Sequence, residues 1–251
     1  MTNKTTLIIG GTSGMGLETA RRIVAQGGHV TLVGSSAAKL ETAKVELGTA
    51  ADIIRTDLTD TAAVEALIAR IGAETRHIHG LVNAAGVFAP KPFLEHEAAD
   101  YDRYMDLNRA TFLLTQAVAR NMVAHGGGAI VNIGSMWAKQ AVRATPSSAY
   151  SMAKAGLHAL TQHLAMELAP HGVRVNAVSP AVVITPIYGA FIEPEQVEAT
   201  LTGGFDSFHP IGRVGQPADV AATIQHLLSD NTAWVTGAIW DVDGGVMAGV
   251  A

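Results

Sequence analysis

The sequence contains no cysteine, which excludes disulfide bonds, thiolate metal ligands and cysteine nucleophiles. Charged residues make up 16% of the 251 residues, against about 25% in a typical soluble chain. The formal net charge of -5 argues against nucleic acid or an anionic membrane as a partner, because both attract basic surfaces. No apolar run approaches the ~20 residues of a transmembrane helix, and no signal-peptide pattern follows Met1. We therefore expect a soluble, cytoplasmic protein.

Hydrophobic residues make up 48% of the chain, which is enough for a sizeable core. Short β-branched runs alternate with longer Ala- and Leu-rich stretches that have helical spacing. The runs lie at residues 7–9, 30–33, 53–54, 81–82, 130–133, 173–178 and 239–242. Strands that alternate with helices predict a parallel sheet with helices on both faces. The expected fold is α/β, a single domain over residues 1–251 with a doubly wound sheet of about seven strands.

Residues 186–217 interrupt this alternation, between the sixth predicted strand and the last predicted helix. The segment is rich in glycine, proline and aromatic residues. Connections of this length are usually functional lids or binding loops. We expect residues 186–217 to form a substrate loop.

Gly10, Gly14 and Gly16 lie between the first predicted strand and the following helix, which is expected to begin near Met15. A Rossmann-type dinucleotide site needs a tight turn there, with the pyrophosphate at the helix N-terminus. A P-loop is excluded because no Lys-Ser or Lys-Thr follows the last glycine. A glycine-rich turn without a ligand is the alternative, but the position after the first strand favours the nucleotide site.

Several segments, taken in order, resemble the short-chain dehydrogenase/reductase family over essentially the whole chain. They are the turn 10–16, Asn83-Ala84-Ala85-Gly86, Asn108, Ser135, Tyr150 with Lys154, Ser179-Pro180-Ala181 with Thr185, and residues 241–245. Two positions depart from the family pattern. Ile9 replaces the usual Thr before the first glycine, and Ala181 replaces the Gly after Pro180.

The resemblance implies an NAD(P)-dependent oxidoreductase that transfers a hydride between the nicotinamide and a ketone or secondary alcohol. Its catalytic residues would be Asn108, Ser135, Tyr150 and Lys154. Lys154 lies one helical turn after Tyr150, and with the positive nicotinamide it should lower the pKa of the phenol, which then acts as acid and base. Ser135 would polarise the carbonyl oxygen, and Asn108 would hold a water that links Lys154 to solvent.

The resemblance also assigns cofactor-binding positions. They are Gly10, Thr12, Ser13, Gly14, Met15, Gly16, Gly34, Ser35, Ser36, Asp57, Leu58, Asn83, Ala84, Gly86, Tyr150, Lys154, Pro180, Val183 and Thr185. Asp57 could instead be a helix cap, although Asp60 is the better cap candidate.

The segment after the second predicted strand favours NADP(H) over NAD(H). No acidic residue lies between His29 and Glu41, where an NAD-selective protein would hold the ribose 2′-hydroxyl. Gly34 leaves room for a 2′-phosphate, Ser35 and Ser36 offer hydroxyl groups, and Lys39 could add a positive charge. No arginine stands in this segment, so the preference should be modest.

Aromatic residues in the substrate loop and near Ser135 predict an apolar carbonyl or alcohol substrate. The candidate substrate residues are Trp137, Arg143, Tyr188, Phe191 and Phe205. They could equally pin the loop to the body or pack a subunit interface. No metal site is expected, because the ten histidines form no His-Glu-x-x-His motif.

The low charge and the apolar residues 246–251 predict a homo-oligomer, most simply a homotetramer of the family type. Two other functions stay open. One is a non-catalytic nucleotide-binding regulator on the same fold. The other is an enoyl reductase, in which the Tyr and Lys are spaced more widely.

Overall fold

The computed structural model describes residues 2–143 and 145–249. The strands are β1 (Thr5–Ile9), β2 (His29–Gly34), β3 (Ala51–Arg55), β4 (Gly80–Asn83), β5 (Gly128–Ile133), β6 (Val173–Pro180) and β7 (Ile239–Val242). The helices are α1 (Gly14–Ala25), α2 (Ala37–Leu47), α3 (Thr61–Gly72), α4 (Ala98–Ala124), α5 (Ser148–Leu168), α6 (Val197–Phe205) and α7 (Pro217–Leu228). Within these residues, no helix is both long and apolar enough to cross a membrane.

The strands form one sheet in the order β3-β2-β1-β4-β5-β6-β7, and every neighbouring pair is parallel. The predicted doubly wound parallel sheet is confirmed. The strand order reverses between β1 and β4, so the connections leave these two strands in opposite directions. In open parallel sheets, ligands bind at the carboxyl ends of the strands at such a switch point.

Helices cover both faces of the sheet with separate apolar cores. On one face α1, α2 and α7 pack through Ile23, Leu40 and Ile224. On the other face α3, α4 and α5 pack through residues such as Leu67 and Leu114. Because both faces are buried, the strands are continuous apolar runs, which explains why they could be located from the sequence.

The segment from 186 to 217 is not an extended loop, because it contains α6 and several short 3₁₀ turns. Val197 and Leu201 of this segment are buried against Met136, Trp137 and Val214. The excursion therefore packs onto the segments that follow β5 and β6, next to the carboxyl edge of the sheet.

The predicted cap of the third helix is confirmed. The Asp60 carboxylate accepts hydrogen bonds from the backbone N–H groups of Ala62 at 2.9 Å and Ala63 at 3.2 Å. These bonds satisfy N–H groups that have no partner within α3. Asp60 therefore fixes where α3 begins.

We predict that Asp60→Ala lowers the free energy of unfolding by about 0.5–2 kcal/mol, because the cap is lost without disturbing the core. Asp60→Asn, which keeps an oxygen acceptor, should retain most of the stability. Urea denaturation of the three proteins checks this. Equal stability of Asp60→Ala and the wild type would contradict the capping role.

Candidate active site

An open cleft of about 320 Å³ lies at the carboxyl edge of the sheet, where β1, β2 and β4 end. Many of the predicted cofactor residues line it: Gly10, Thr12, Ser13, Gly14, Met15, Gly16, Gly34, Ser35, Asp57, Leu58, Ala84, Gly86 and Thr185. Lys39, which was expected to add a positive charge near a 2′-phosphate, lines it as well. The other lining residues were not predicted from the sequence: Val33, Thr56, Thr59, Ala85, Val87, Leu107, Pro186 and Ile187.

The glycine turn approaches neighbouring backbone closely. Gly10 has a φ of +83°, and a Cβ atom there would lie 2.7 Å from the carbonyl carbon of Ala84. Gly14 has a φ of +51°, and its Cβ would lie 3.2 Å from Thr185 Cγ2. The turn thus requires glycine for both conformation and space, and it faces Thr185.

Helix α1 begins at Gly14, close to the expected start at Met15. The side chain of Ser13, its N-cap, makes no capping hydrogen bond. The first N–H groups of the helix therefore have no side-chain acceptor, and they lie where Ser13, Gly14 and Met15 line the cleft. A helix N-terminus in this state binds a phosphate group well, so the cleft fits the pyrophosphate of a dinucleotide.

Some predicted cofactor residues lie away from the cleft lining. Asn83 is buried beneath it, where its Nδ2 donates to Thr115 Oγ1 at 2.9 Å and to Asn132 Oδ1 at 2.7 Å. Asn132 Nδ2 in turn donates to Thr161 Oγ1 at 2.8 Å. This chain of amides and hydroxyls joins β4, β5, α4 and α5. Asn83 therefore has a structural role, because it links the elements beneath the cleft.

Three more of these residues have structural partners of their own. The Ser36 side chain is the N-cap of α2 and accepts from the Lys39 backbone N–H at 3.4 Å. Pro180 is buried at the end of β6, and Val183 pairs with Gly215 in an isolated bridge. None of these three residues lines the cleft, so their predicted contacts with the cofactor stay predictions.

The four predicted catalytic residues converge at the carboxyl end of β5. Tyr150 and Lys154 lie one turn apart on α5, and Lys154 Nζ is 5.7 Å from the centroid of the Tyr150 ring. Lys154 Nζ donates to the Ile133 carbonyl at 2.7 Å. Ser135 is buried two residues beyond β5. Asn108 Nδ2 donates to the Ala153 carbonyl at 2.9 Å, which ties α4 to α5 beside Lys154.

Burial shifts both ionisable groups towards their neutral forms. It raises the pKa of Tyr150 to about 12, although a hydrogen bond with Ser135 opposes the rise. It lowers the pKa of Lys154 to about 8. In the protein without cofactor, desolvation is the largest cause of the raised Tyr150 pKa. The expected lowering of that pKa also depends on the positive nicotinamide, so it stays a prediction.

Aromatic rings surround Tyr150. The Phe88 ring lies 4.9 Å from the Tyr150 ring, and the Tyr104 ring lies 6.0 Å from it. Trp137, Tyr188 and Phe191 each lie 6.0 Å from Phe88, between ring centroids. The neighbours Val87 and Ile187 line the cleft. The aromatic pocket and the cleft are therefore adjacent.

Two predicted substrate residues make no ring contact with Phe88 or Tyr150 in the described part of the chain. Phe205 packs edge-on against Phe208, with 6.1 Å between ring centroids, on the same apolar cluster as Trp137 and Tyr188. Arg143 is exposed on the loop between Trp137 and Tyr150. Phe88, which directly follows the cleft-lining residues 84–87, also belongs to the pocket.

His158 lies one turn beyond Lys154 and supports the segment that carries Ser135. It is 6% exposed, and burial lowers its pKa to about 4. A Cβ atom on Gly134 would overlap the His158 ring, so only glycine leaves space for it. Gly134 lies between Ile133, which binds Lys154, and Ser135. The spacing of Tyr150, Lys154 and His158 at every fourth position could have indicated this role.

The chain belongs to the short-chain dehydrogenase/reductase family, and it is an NAD(P)-dependent oxidoreductase. Residues 10–247 match a family model described as enoyl-(acyl carrier protein) reductase.

The chain is 39% identical over 241 residues to galactitol 2-dehydrogenase (L-tagatose-forming) of Cereibacter sphaeroides, covering 95% of this chain and 92% of that protein. It is 38% identical over 246 residues to cis-4-hydroxycyclohexanecarboxylate dehydrogenase of Sinomonas cyclohexanicum, covering 96% of each. The crystal structure of levodione reductase superimposes with a TM-score of 0.90. That protein is 30% identical, and the match covers 100% of each chain.

These relatives are named for hydroxyl and keto oxidoreduction. The chain is accordingly of the carbonyl reductase and alcohol dehydrogenase type, and the enoyl reductase alternative is not favoured. The predicted family and reaction class are confirmed.

We predict that Lys154→Met removes a pH-dependent part of the stability. Because the pKa of Lys154 is lowered to about 8 in the folded protein, the unfolded chain binds more protons from about pH 8 up to about pH 10.5. The lysine therefore destabilises the fold at lower pH, and the wild type should gain stability as the pH rises above about 8. The variant should lack this gain.

Urea denaturation without cofactor at several pH values between about 7 and 9.5 measures this difference. Tyr150→Phe keeps Lys154 and should retain the gain. An equal gain in the wild type and Lys154→Met would contradict the assigned burial of the ammonium group.

Proposed function

We propose that the protein interconverts an apolar ketone and its secondary alcohol, with Tyr150 as the proton donor and acceptor. The observation that carries the proposal is the convergence of three side chains at the carboxyl end of β5. Ser135 is buried there, Lys154 Nζ lies 5.7 Å from the centroid of the Tyr150 ring, and the same Nζ donates to the Ile133 carbonyl. Two hydroxyl groups placed together can bind one substrate oxygen. When bound, the nicotinamide donates or accepts the hydride.

The raised pKa of Tyr150, about 12, means that the phenol keeps its proton at neutral pH. It is therefore ready to protonate a carbonyl oxygen during reduction. Ser135 can donate a hydrogen bond to the same oxygen, where negative charge develops. In the direction of oxidation Tyr150 must lose its proton, and the positive charge of Lys154 favours that loss. The Ile133 carbonyl keeps the Lys154 ammonium in place.

Asn108 is assigned a positioning role. Its amide holds the Ala153 carbonyl, one residue before Lys154, and thereby fixes α5 relative to α4. A water held near Asn108 would extend the proton path from Lys154 to solvent. The family resemblance supports this last step.

The aromatic pocket supports an apolar substrate. The Phe88 ring packs against Tyr150, Trp137 and Phe191, and the nearby Tyr104 hydroxyl is occupied by the Ala89 backbone. Burial raises the pKa of Tyr188 as well, and the proximity of Tyr150 adds to that rise, so the two phenols share one buried region. A non-catalytic regulator would have no use for a complete catalytic set, so we give that alternative less weight.

We also propose a preference for NADPH over NADH. Gly34 ends β2, and a Cβ atom there would lie 2.7 Å from Thr12 Cγ2, so an acidic side chain would displace Thr12. Ser35 and Lys39 line the cleft at this point. The site thus accepts a 2′-phosphate more readily than it selects a 2′-hydroxyl.

A homotetramer is the assembly we propose. Helices α4 and α5 expose apolar side chains, among them Phe112 at 49% and Met166 at 80% exposure, and Trp234 is 99% exposed. Such residues are unusual on the surface of a monomer when they form contiguous patches. The single-domain organisation and the cytoplasmic location stay predictions.

Tyr150→Phe deletes only the hydroxyl, so we predict that kcat falls by about 10²–10⁴ while cofactor binding is kept. Tyr101→Phe, at an exposed tyrosine of α4, is the matched control and should keep full activity. Steady-state kinetics on a panel of apolar ketones, with binding of NADPH followed by fluorescence, provide both readouts. Retention of more than a tenth of the wild-type kcat, with chemistry rate-limiting, would rule out the assigned role.

We predict a higher kcat/KM with NADPH than with NADH on the same ketone, with NADH still usable. The physical reason is that nothing acidic at the end of β2 repels a 2′-phosphate. Initial rates with the two coenzymes decide the matter, and a clear preference for NADH would refute the proposal.

A further inference from the structure

Arg55 is the last residue of β3, and the strand register places it beside the end of β2. It pairs with Gly34 in the parallel ladder between these strands. Its Nε donates a hydrogen bond to the Ser35 carbonyl at 3.1 Å. Helix α2 lies between Ser35 and β3 along the chain, so only the register of the sheet brings Arg55 and Ser35 together.

The side chain of Arg55 lies on the face of the sheet that leads into α2. Side chains alternate along a strand, so Arg55 shares a face with Ile53. Ile53 packs into the core formed by α1, α2 and α7, whereas Ile54 packs into the opposite core. The turn from Gly34 to α2 runs over this same face.

The surroundings of Arg55 belong to the cleft. Ser35, which accepts its hydrogen bond, and Asp57, two residues further along the chain, both line the cleft, whereas Arg55 itself does not. Hydrogen bonds from Thr59 are the main cause of the lowered pKa of Asp57, and the charge of Arg55 makes a smaller contribution. Asp57 is thus close to the guanidinium, but its carboxylate is bonded to the Thr59 N–H at 3.0 Å and the Thr59 hydroxyl at 2.8 Å.

The guanidinium of Arg55 keeps most of its binding capacity. Within residues 2–143 and 145–249 it forms no ion pair with a carboxylate. Of its five N–H donors, the one at Nε is used by Ser35, which leaves the four on the terminal nitrogens. A planar fork of this kind binds phosphate oxygens in pairs, which a lysine cannot do.

We propose that Arg55 binds the 2′-phosphate of NADP(H) and is the main residue that selects it over NAD(H). The selecting charge thus comes from β3, while the segment after β2 supplies only space and the Ser35 carbonyl that orients the guanidinium. Lys39, which also lines the cleft, adds a second positive charge without fixed geometry. The inference rests on the proposed NADPH preference and is independent of the role of Tyr150.

The test measures binding of two cofactor fragments to the protein without cofactor, by titration calorimetry. Adenosine 2′,5′-bisphosphate carries the 2′-phosphate, and adenosine 5′-monophosphate lacks it. For Arg55→Met we expect a loss of about 10- to 100-fold in affinity for the bisphosphate, the range of charge-assisted hydrogen bonds. Affinity for the monophosphate should stay within experimental error of the wild type.

Three further variants complete the design. Arg55→Lys should keep part of the preference, because it retains charge but not the fork. Arg76→Met removes an exposed arginine at the opposite end of the sheet and should change neither affinity. Lys39→Met should weaken bisphosphate binding less than Arg55→Met does. Thermal unfolding of each variant confirms that the fold is intact.

Equal weakening of both fragments by Arg55→Met would show that Arg55 only holds β3 to the Ser35 turn, and would overturn the proposal. Unchanged binding in Arg55→Met, or a loss confined to Lys39→Met, would also overturn it while leaving the NADPH preference standing. A wild-type protein that does not favour the bisphosphate would refute the preference itself. The two failures are therefore distinguishable.

Discussion

Two backbone turns meet where the strand order of the sheet reverses, and the geometry of the whole site depends on how closely they approach. The turn after β1 passes so near the turn after β4 that Gly10 has no space for a side chain. This contact aims the start of α1 into the cleft and sets its distance from Thr185. A wider separation would change the position of every group that surrounds a bound dinucleotide.

Burial away from solvent favours the neutral forms of both Tyr150 and Lys154. It keeps the Tyr150 phenol neutral and makes the Lys154 ammonium harder to maintain. The Ile133 carbonyl offsets part of that cost, because it accepts a hydrogen bond from the charged group. Tyr150 is therefore a neutral acid beside one positive charge, the Lys154 ammonium, which the Ile133 carbonyl stabilises. This arrangement suits the reduction of a carbonyl group.

Local signals in the sequence predicted much of this structure. The apolar strands, the glycine turn and the Asp60 cap each depend on neighbouring residues, so a single sequence reveals them. The role of Asn83 could not be predicted in this way, because its hydrogen-bond partners Thr115 and Asn132 lie on other elements, α4 and β5. The same is true of Arg55, because its neighbour Ser35 is set by strand register. The pKa of Tyr150 depends on burial, which no spacing of residues encodes.

The ring of His158 occupies the space that any side chain at Gly134 would need. As a result, the two positions can vary only as a pair. A bulkier residue at 134 becomes acceptable only after 158 has become small, and a small residue at 158 alone would leave a void beneath the segment carrying Ser135. Divergence of this enzyme is thus constrained by epistasis between α5 and the residue that follows β5.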